Sequence, residues 1–397
     1  MHQDGEGESV GLGSKNSRRA TAFRMDNAVN RVFTTWEAEH GGSAQSSARF
    51  TSYRNNRSLS LVTPRLHEDA LNLDLQSWTT TQHTRLQHTQ FRQDEQHHLS
   101  NHHRRENVPR LGALPATRPD GVFRWMYCQL NGLADSKRWE EKLTQLTEIA
   151  RTHDIDGAAL CEVGVNWGRT PHRSWFTLAN LINTKMDREV RATTSHNIHG
   201  PRRSTGQYGG TGIVAFNSGI QYAQGTAHDH RQLGRWASWI FSNSPVHCTR
   251  VVTAYCPGKS RRDGLKTVYQ QHLRYIQHHQ LACTPYQLFV QDLTEQVKCW
   301  VEAGDRIPLL FIDANEHILD GLISRKLTSP RLGLVEVSHR LWGDTPPHTF
   351  IDGSIPIDGV FASPELEVTN GLMLSFHESV GDHRSIIIEV STRSMLG

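Results

Sequence analysis

The sequence lacks the cysteine spacing of a zinc site. None of its six cysteines forms a CxxC pair, and several lie inside apolar runs, as Cys161 does in Ala-Ala-Leu-Cys-Glu. This usage argues against a cysteine-held metal. It predicts reduced, mostly buried thiols in an intracellular protein.

Long apolar runs and an excess of one charge are also absent. No run has transmembrane length, and no signal-peptide core follows Met1, so we predict a soluble protein with no membrane partner. Lys and Arg number 43 against 40 Asp and Glu. Affinity for nucleic acid must therefore come from local basic patches, each of which, taken alone, is more typical of a solvated loop. The patches are Arg202-Arg203, Lys259 with Arg261-Arg262, and Arg325-Lys326.

The first part of the chain has little apolar periodicity. Residues 1–118 are rich in Ser, Thr, Gln, Asn, His and Arg. Such a segment buries too little apolar surface to offset its ordering entropy, so we predict a low-complexity, largely disordered N-terminal region. Residues 119–393 are predicted to form the folded domain.

Apolar runs of strand length alternate with helical patterns in that domain. The predicted strands are 123–130, 157–163, 210–217, 235–242, 247–255, 308–312, 332–337, 357–362 and 385–390. One helix is predicted to begin after Asp135 or Ser136. Three more are predicted over residues 174–186, 264–279 and 286–303. This order predicts an α/β fold in which two packed sheets are flanked by helices.

Single polar residues stand at the ends of these apolar runs. They are Asn131, Glu162, Tyr255, Asp313 with Asn315, Asp358, and Asp382-His383. Together they supply what metal-assisted cleavage of a phosphate ester needs: a site for a hard cation, a group that activates water, and a clamp for the phosphate. Mg²⁺ suits such a site because it prefers carboxylate oxygens and keeps water ligands.

Each residue also has an ordinary structural interpretation. Glu162 is our first choice of metal ligand. Taken alone, however, a glutamate at this position is more typical of a side chain that turns outward at the end of a strand. Asp313 and Asn315 lie two residues apart on one side of the chain, which suits water activation and phosphate binding, but an Asx turn fits them equally. His383 can contact the phosphate, and Asp358 is the natural partner for its other ring nitrogen.

The set as a whole resembles the endonuclease/exonuclease/phosphatase superfamily, and within it the abasic-endonuclease-type domain of non-LTR (LINE-type) retrotransposons. The resemblance runs from about residue 122 to 391. Its motifs are Gln-Leu-Asn131-Gly, Leu-Cys-Glu162, Gly-Gly210-Thr-Gly-Ile-Val, Thr-Ala-Tyr255-Cys-Pro, Phe-Ile-Asp313-Ala-Asn315, Thr349-Phe350, Ile-Asp358-Gly-Val-Phe and Gly-Asp382-His383-Arg.

The resemblance implies a four-layer α/β sandwich of two mixed sheets and a role for each residue. Glu162 is the principal ligand of Mg²⁺, for which Mn²⁺ can substitute, with Asn131 beside it and Asp382 contributing. Asp313 activates the attacking water and Asn315 holds the phosphate. Tyr255 contacts the phosphate or assists the leaving oxygen, and His383, oriented by Asp358, stabilises the transition state.

Two positions depart from the family pattern. Gly258 stands where the DNA-repair members have Asn, and Gly381 stands where Ser is more usual. Neither change removes a catalytic group, but both weaken a claim to abasic-site specificity.

We therefore predict a Mg²⁺-dependent DNA endonuclease of retroelement type. Its partners would be DNA and a separately encoded reverse transcriptase, and its location the nucleus if the element is eukaryotic. Two alternatives stay open. One is another phosphoesterase of the superfamily, acting on phosphoinositides, sphingolipids or RNA. The other is an inactive relic that binds nucleic acid.

Overall fold

A computed structural model describes residues 108–133, 139–167, 174–186, 189–200, 206–243, 249–258, 267–304 and 306–397. Most of the predicted N-terminal region, the predicted cap at Asp135 or Ser136, and the basic patches at 202–203 and 259–262 lie outside these residues. The description that follows concerns the described residues alone.

The larger sheet has seven strands in the order β1-β12-β13-β2-β3-β5-β4. All neighbours are antiparallel except β2 and β3. Its strands are β1 Leu111–Ala113, β2 Val122–Gln129, β3 Gly157–Cys161, β4 Val190–Ser195, β5 Thr211–Phe216, β12 Val368–Met373 and β13 Ile386–Ser391.

The smaller sheet has six strands in the order β10-β11-β9-β8-β7-β6, and β8 and β9 are its parallel pair. Its strands are β6 Ala223–His228, β7 Trp236–Phe241, β8 Thr249–Tyr255, β9 Arg306–Asp313, β10 Val335–Glu336 and β11 Asp358–Ala362. A 3₁₀ helix, Asn217–Tyr222, joins β5 to β6.

Helices cover the outer face of each sheet. The helices are α1 Trp139–Thr152, α2 Ser174–Asn183, α3 Val268–His278, α4 Pro285–Glu302, α5 Leu322–Leu327, α6 Val337–Trp342 and α7 Thr392–Leu396. In the part of the chain that the structure describes, no helix has both the length and the apolar character needed to cross a bilayer.

The three largest apolar clusters of the described residues define four layers. The central core joins the two sheets through residues such as Trp125, Phe241 and Phe311. A second core packs Leu143 of α1 against the larger sheet, and a third packs Phe289 of α4 against the smaller one. Strands β2, β3, β5 and β8 are almost wholly buried because both of their faces are covered, and polar residues within them, such as Arg124 and Gln129, have hydrogen-bond partners. The predicted four-layer α/β sandwich is confirmed.

The local predictions differ from the structure at a few elements. The strand predicted over 332–337 is wrong beyond Val335–Glu336, because the Glu336 carboxylate accepts a hydrogen bond from Ser338 N at 3.0 Å and caps α6 there. Strands β4, β6 and β12 and helices α5, α6 and α7 were not predicted. Strand β1 lies inside the segment predicted as the N-terminal region, and where the domain begins stays a prediction.

Candidate active site

The predicted site residues meet at one edge of the sandwich. The carboxyl ends of β2, β3, β8 and β9 lie there, with Gln129 opposite Cys161 and Tyr255 opposite Asp313. Strands β11 and β13 are antiparallel to their neighbours, so they begin where the others end, and Asp358 pairs with Asp313. Residues far apart in sequence thus become neighbours.

The His383 imidazole is held by the Asp358 carboxylate. The Nδ1 of His383 lies 2.7 Å from Oδ2 of Asp358. The other oxygen, Oδ1, accepts a hydrogen bond from the Tyr127 hydroxyl at 2.6 Å. Burial alone would lower the pKa of His383, but attraction to Asp358, Asp313 and Asp382 raises it to about 10. His383 is therefore a cation near neutral pH.

The Asp313 carboxylate is buried beside this pair and accepts two hydrogen bonds. Oδ2 accepts from Gln129 Nε2 at 2.9 Å, and Oδ1 accepts from the backbone N–H of Asn315 at 3.1 Å. Burial, followed by the charge of Asp358, raises the pKa of Asp313 well above its ordinary value. The hydrogen bond from the Asn315 N–H to Asp313, two residues earlier in the chain, forms an Asx turn. The structural interpretation of this pair is therefore correct, and it is compatible with the predicted role in the site.

Glu162 and Tyr255 form a second pair, in which Tyr255 is buried and Glu162 is half-buried. The Tyr255 hydroxyl donates a hydrogen bond to the Glu162 carboxylate. Burial raises the pKa of Glu162, the Tyr255 hydrogen bond lowers it, and the charge of Asp382 raises it again, with a net increase. Burial and the Glu162 charge raise the pKa of Tyr255 far above its ordinary value, so its hydroxyl stays protonated.

Asn131, which is exposed, and Asp382, which is half-buried, lie at the rim of this edge. Asn131 Nδ2 donates to Asp382 Oδ2 at 2.9 Å. The backbone beneath Asn131 is held by the Lys142 ammonium of α1, which donates to the carbonyl oxygens of Leu130, Asn131 and Gly132 at 2.8, 2.8 and 3.0 Å.

Three site residues have left-handed backbone conformations. Asn131, Glu162 and Asn315 have φ values of 47°, 47° and 50°. Such values cost energy for a side chain as large as glutamate, and they cluster at functional sites because the surrounding structure must enforce them. Each residue lies one or two positions beyond the end of its strand.

Asn315 has a second contact that bears on its predicted role. Its Nδ2 donates to the Cys256 carbonyl at 2.7 Å, so one of its two amide N–H groups is used within the protein. The predicted phosphate contact would have to use the other N–H group.

The two glycines that depart from the family pattern sit at close approaches. A Cβ on Gly381 would lie 2.3 Å from the carbonyl oxygen of Gln129, and one on Gly258 would lie 2.7 Å from Oδ1 of Asn315. Real Cβ contacts are never so short, so a side chain at either position would displace a site segment. Both departures are therefore consistent with an intact site.

The donor set fits a hard divalent cation. Glu162, Asn131 and Asp382 offer carboxylate and amide oxygens, and the mutual repulsion of the two acids is what a cation would offset. Asp313, Asp358 and His383 have ligand atoms within 4.8 Å of one another, a second group able to hold a metal. Both oxygens of Asp358 already accept hydrogen bonds, which favours the first set.

Three residues at this edge were not predicted from the sequence. Tyr127 and Gln129 donate to Asp358 and Asp313, and Lys142 holds the end of β2. Gln129 left a signal, because a polar residue inside a fully buried strand must find a partner. Tyr127 is indistinguishable from a core aromatic residue, and Lys142 from an ordinary exposed helix residue.

No family model and no curated protein matches the chain. Among solved structures, the AP endonuclease LMAP from Leishmania major has 14% identity and a TM-score of 0.53, with 72% of this chain and 92% of that chain covered. The human Nocturnin catalytic domain has 14% identity and a TM-score of 0.48, covering 72% and 98%. An endonuclease/exonuclease/phosphatase from Bacteroides vulgatus has 11% identity and a TM-score of 0.45, covering 68% and 98%.

At this identity, the similarity to LMAP shows a shared fold and leaves the chemistry to the side chains at the site.

Proposed function

We propose that this chain is a metal-dependent phosphodiesterase, and more specifically a DNA endonuclease of retroelement type that nicks DNA by in-line attack of water. The observation that carries the proposal is the meeting of a buried carboxylate, Asp313, with the Asp358–His383 pair and the Glu162–Tyr255 pair at one edge. A base, a cation and a metal ligand at one place are the parts that phosphodiester hydrolysis requires.

Asp313 is the proposed base for the attacking water. Its raised pKa makes the carboxylate a better proton acceptor than an exposed aspartate, and its hydrogen bonds to Gln129 and Asn315 fix its orientation. Proton transfer from water to Asp313 leaves hydroxide directed at the phosphorus atom.

His383 is the proposed electrostatic partner of the phosphate. It is an imidazolium at neutral pH because Asp358 holds Nδ1, and its Nε2–H can donate to a phosphate oxygen as negative charge develops there. Tyr255 stays protonated and can donate to the leaving oxygen or to the phosphate.

Glu162, Asn131 and Asp382 are the proposed ligands of a magnesium ion. When bound, Mg²⁺ would supply Lewis-acid stabilisation of charge on the phosphate oxygens, and Mn²⁺ would serve in its place. The left-handed backbone at Asn131 and Glu162 presents these donors at the strand ends.

The choice of DNA as substrate rests on two supports. LMAP, which shares the fold, is an AP endonuclease, and the order of motifs from Asn131 to His383 resembles the retrotransposon nuclease domain. A separately encoded reverse transcriptase and a nuclear location belong to the same proposal. Of the three basic patches in the sequence, only the Arg325-Lys326 pair of α5 lies in the described residues, and it is exposed. We expect these basic patches to bind the DNA backbone.

A panel of phosphodiesters tests the proposal. The full chain is incubated with supercoiled plasmid, an RNA oligonucleotide and phosphoinositide vesicles, each in Mg²⁺ and in EDTA, with His383→Ala as the inactive control. We expect open-circle plasmid in Mg²⁺ only, and none with the variant. Turnover of RNA or lipid without plasmid nicking would replace the DNA assignment by another phosphoesterase, and no turnover from folded protein would indicate a relic.

A further inference from the structure

We infer that Tyr127 and Gln129 of β2 are positioning residues that hold the two carboxylates of the reaction from the opposite sheet. This inference deepens the proposed function and rests on it. The residues lie in the larger sheet, whereas Asp358 and Asp313 lie in the smaller one, so both hydrogen bonds cross the central core.

The inward-facing side chains of β2 change character along the strand. Phe123 and Trp125, far from the site, make apolar contacts, and the Trp125 ring meets Phe241 at 5.1 Å. Tyr127 and Gln129, the two positions nearest the site, each carry a hydrogen-bond donor directed at a carboxylate. The core would be filled as well by Phe or Met, so burial alone does not account for the donors.

Tyr127 fixes the plane of the Asp358 carboxylate. Its hydroxyl is 2.6 Å from Oδ1 while Nδ1 of His383 is 2.7 Å from Oδ2, so the two contacts together leave the carboxylate no free rotation. The Tyr127 ring is itself held by stacking on Phe311, with centroids 6.2 Å apart and planes within 6°. The orientation of His383 therefore depends on a hydroxyl that does not touch it.

Gln129 has the same relation to Asp313. Its Nε2 holds Oδ2 at 2.9 Å, opposite the Asn315 N–H on Oδ1. The other end of the amide, Oε1, is buried and has no hydrogen-bond partner among the described residues. Retaining a buried, half-satisfied amide costs stability, which indicates that the contact to Asp313 is made for the site rather than for the core.

Kinetics of the full chain test the inference. Tyr127→Phe and Gln129→Met each remove one donor with little change of volume, and Thr253→Val is the matched control, because its hydroxyl lies in the same core and donates to Leu160 O instead of a carboxylate. We expect kcat for plasmid nicking to fall about tenfold to a hundredfold in the first two variants, since misplaced groups slow the chemical step. KM should stay within about twofold, and the control should match wild type.

A double-mutant cycle separates positioning from a structural role. If Tyr127 acts through Asp358, Tyr127→Phe should cost less than about twofold in an Asp358→Asn background. The same loss of kcat in both backgrounds, or a loss shared by Thr253→Val, would show that Tyr127 merely supports the core and would overturn the inference.

A proton NMR experiment distinguishes failure of this inference from failure of the proposed function. The Nδ1–H proton of His383, assigned by its loss in His383→Ala, should shift in Tyr127→Phe and not in Thr253→Val. If the His383 resonance shifts in Tyr127→Phe but wild type nicks no DNA, the proposed function is wrong and the inference that Tyr127 holds Asp358 still stands. An unchanged resonance would overturn the inference whether or not the protein nicks.

Discussion

Two clusters of charged side chains in this molecule differ in how their charges are paired. In the cluster of Asp229, Arg231, Arg235 and Asp292, every carboxylate faces a guanidinium. Arg235 lies 2.7 Å from Asp229 and 2.9 Å from Asp292, and Arg231 lies 2.6 Å from Asp292. At the site edge, Glu162, Asp313, Asp358 and Asp382 share one imidazole and the Lys142 charge, and no arginine pairs with them among the described residues.

The pKa values record the difference. Burial alone would raise the pKa of Asp229, but the hydrogen bonds and charge of Arg235 bring it below its ordinary value. Burial and neighbouring acids raise the pKa of Asp313 and of Glu162. The first cluster is neutralised and serves the fold. The second keeps negative charge that a cation and a proton could neutralise, and close packing of these acids costs stability.

The largest expected effect is the loss of activity when Asp313 cannot accept a proton. Asp313→Asn should lower the nicking rate on the order of a thousandfold, because the base acts in the transition state. Its melting temperature should equal or exceed that of wild type, since a buried charge among other acids is removed. If Asp313→Asn stays active, or is clearly less stable than wild type, Asp313 has a structural role and is not the base.

Arg235→Met should give the reverse pattern. The substitution leaves Asp229 and Asp292 buried beside an apolar side chain, and removing one partner of a buried pair costs about 3–5 kcal/mol of unfolding free energy. Urea unfolding measures this loss, with the nicking rate per folded molecule near wild type. A variant that unfolds like wild type would contradict the structural assignment of the cluster.

The pH dependence of nicking should expose the His383 charge. Because the folded-state pKa is raised from 6.5 to about 10, the imidazolium is lost, and activity with it, only as pH rises through about 10. The stabilisation from the Asp358 contact is likewise complete below pH 6.5 and lost toward pH 10. In Asp358→Asn the alkaline loss of activity should move to lower pH, because the strongest attraction that raises the His383 pKa is removed while burial remains. If the alkaline loss of activity occurs at the same pH in Asp358→Asn and wild type, a group other than His383 controls it.

The smallest expected effect concerns the beginning of the domain. A chain that starts at residue 119 loses β1 and the Arg118–Asp156 ion pair. It also loses the backbone carbonyl groups that accept hydrogen bonds from Arg124 and Arg384. A chain that starts at residue 108 keeps all of these contacts. We expect the shorter chain to fold and nick but to melt about 5 °C lower. Equal melting temperatures would place the boundary at 119, and an insoluble shorter chain would place it earlier.

The sequence predicted the elements that are buried on both faces. Strands β2, β3, β8 and β9 are apolar runs that stop at Asn131, Glu162, Tyr255 and Asp313, so the pattern revealed both the strand and the site residue. Strands β4 and β6 were missed because Val-Arg-Ala-Thr-Thr-Ser and Ala-Gln-Gly-Thr-Ala-His have no strong alternation.

Cross-sheet contacts could not be predicted in the same way. Tyr127 meets Asp358 across a separation of 231 residues, and Gln129 meets Asp313 across 184. No local pattern encodes such pairing, since it depends on how the two sheets stack. The Asp358–His383 contact was expected because histidines that work on phosphate need a partner for the second nitrogen, and the structure brings the two residues to 2.7 Å.

The proposed metal dependence is tested by the initial rate of plasmid nicking by the full chain and by Glu162→Ala, in Mg²⁺ and in EDTA, with circular dichroism of both proteins. We expect wild type to nick in Mg²⁺ and not in EDTA, and the variant, folded like wild type, to be slower on the order of a thousandfold. A folded Glu162→Ala that nicks at the wild-type rate, or wild-type nicking that persists in EDTA, would contradict it.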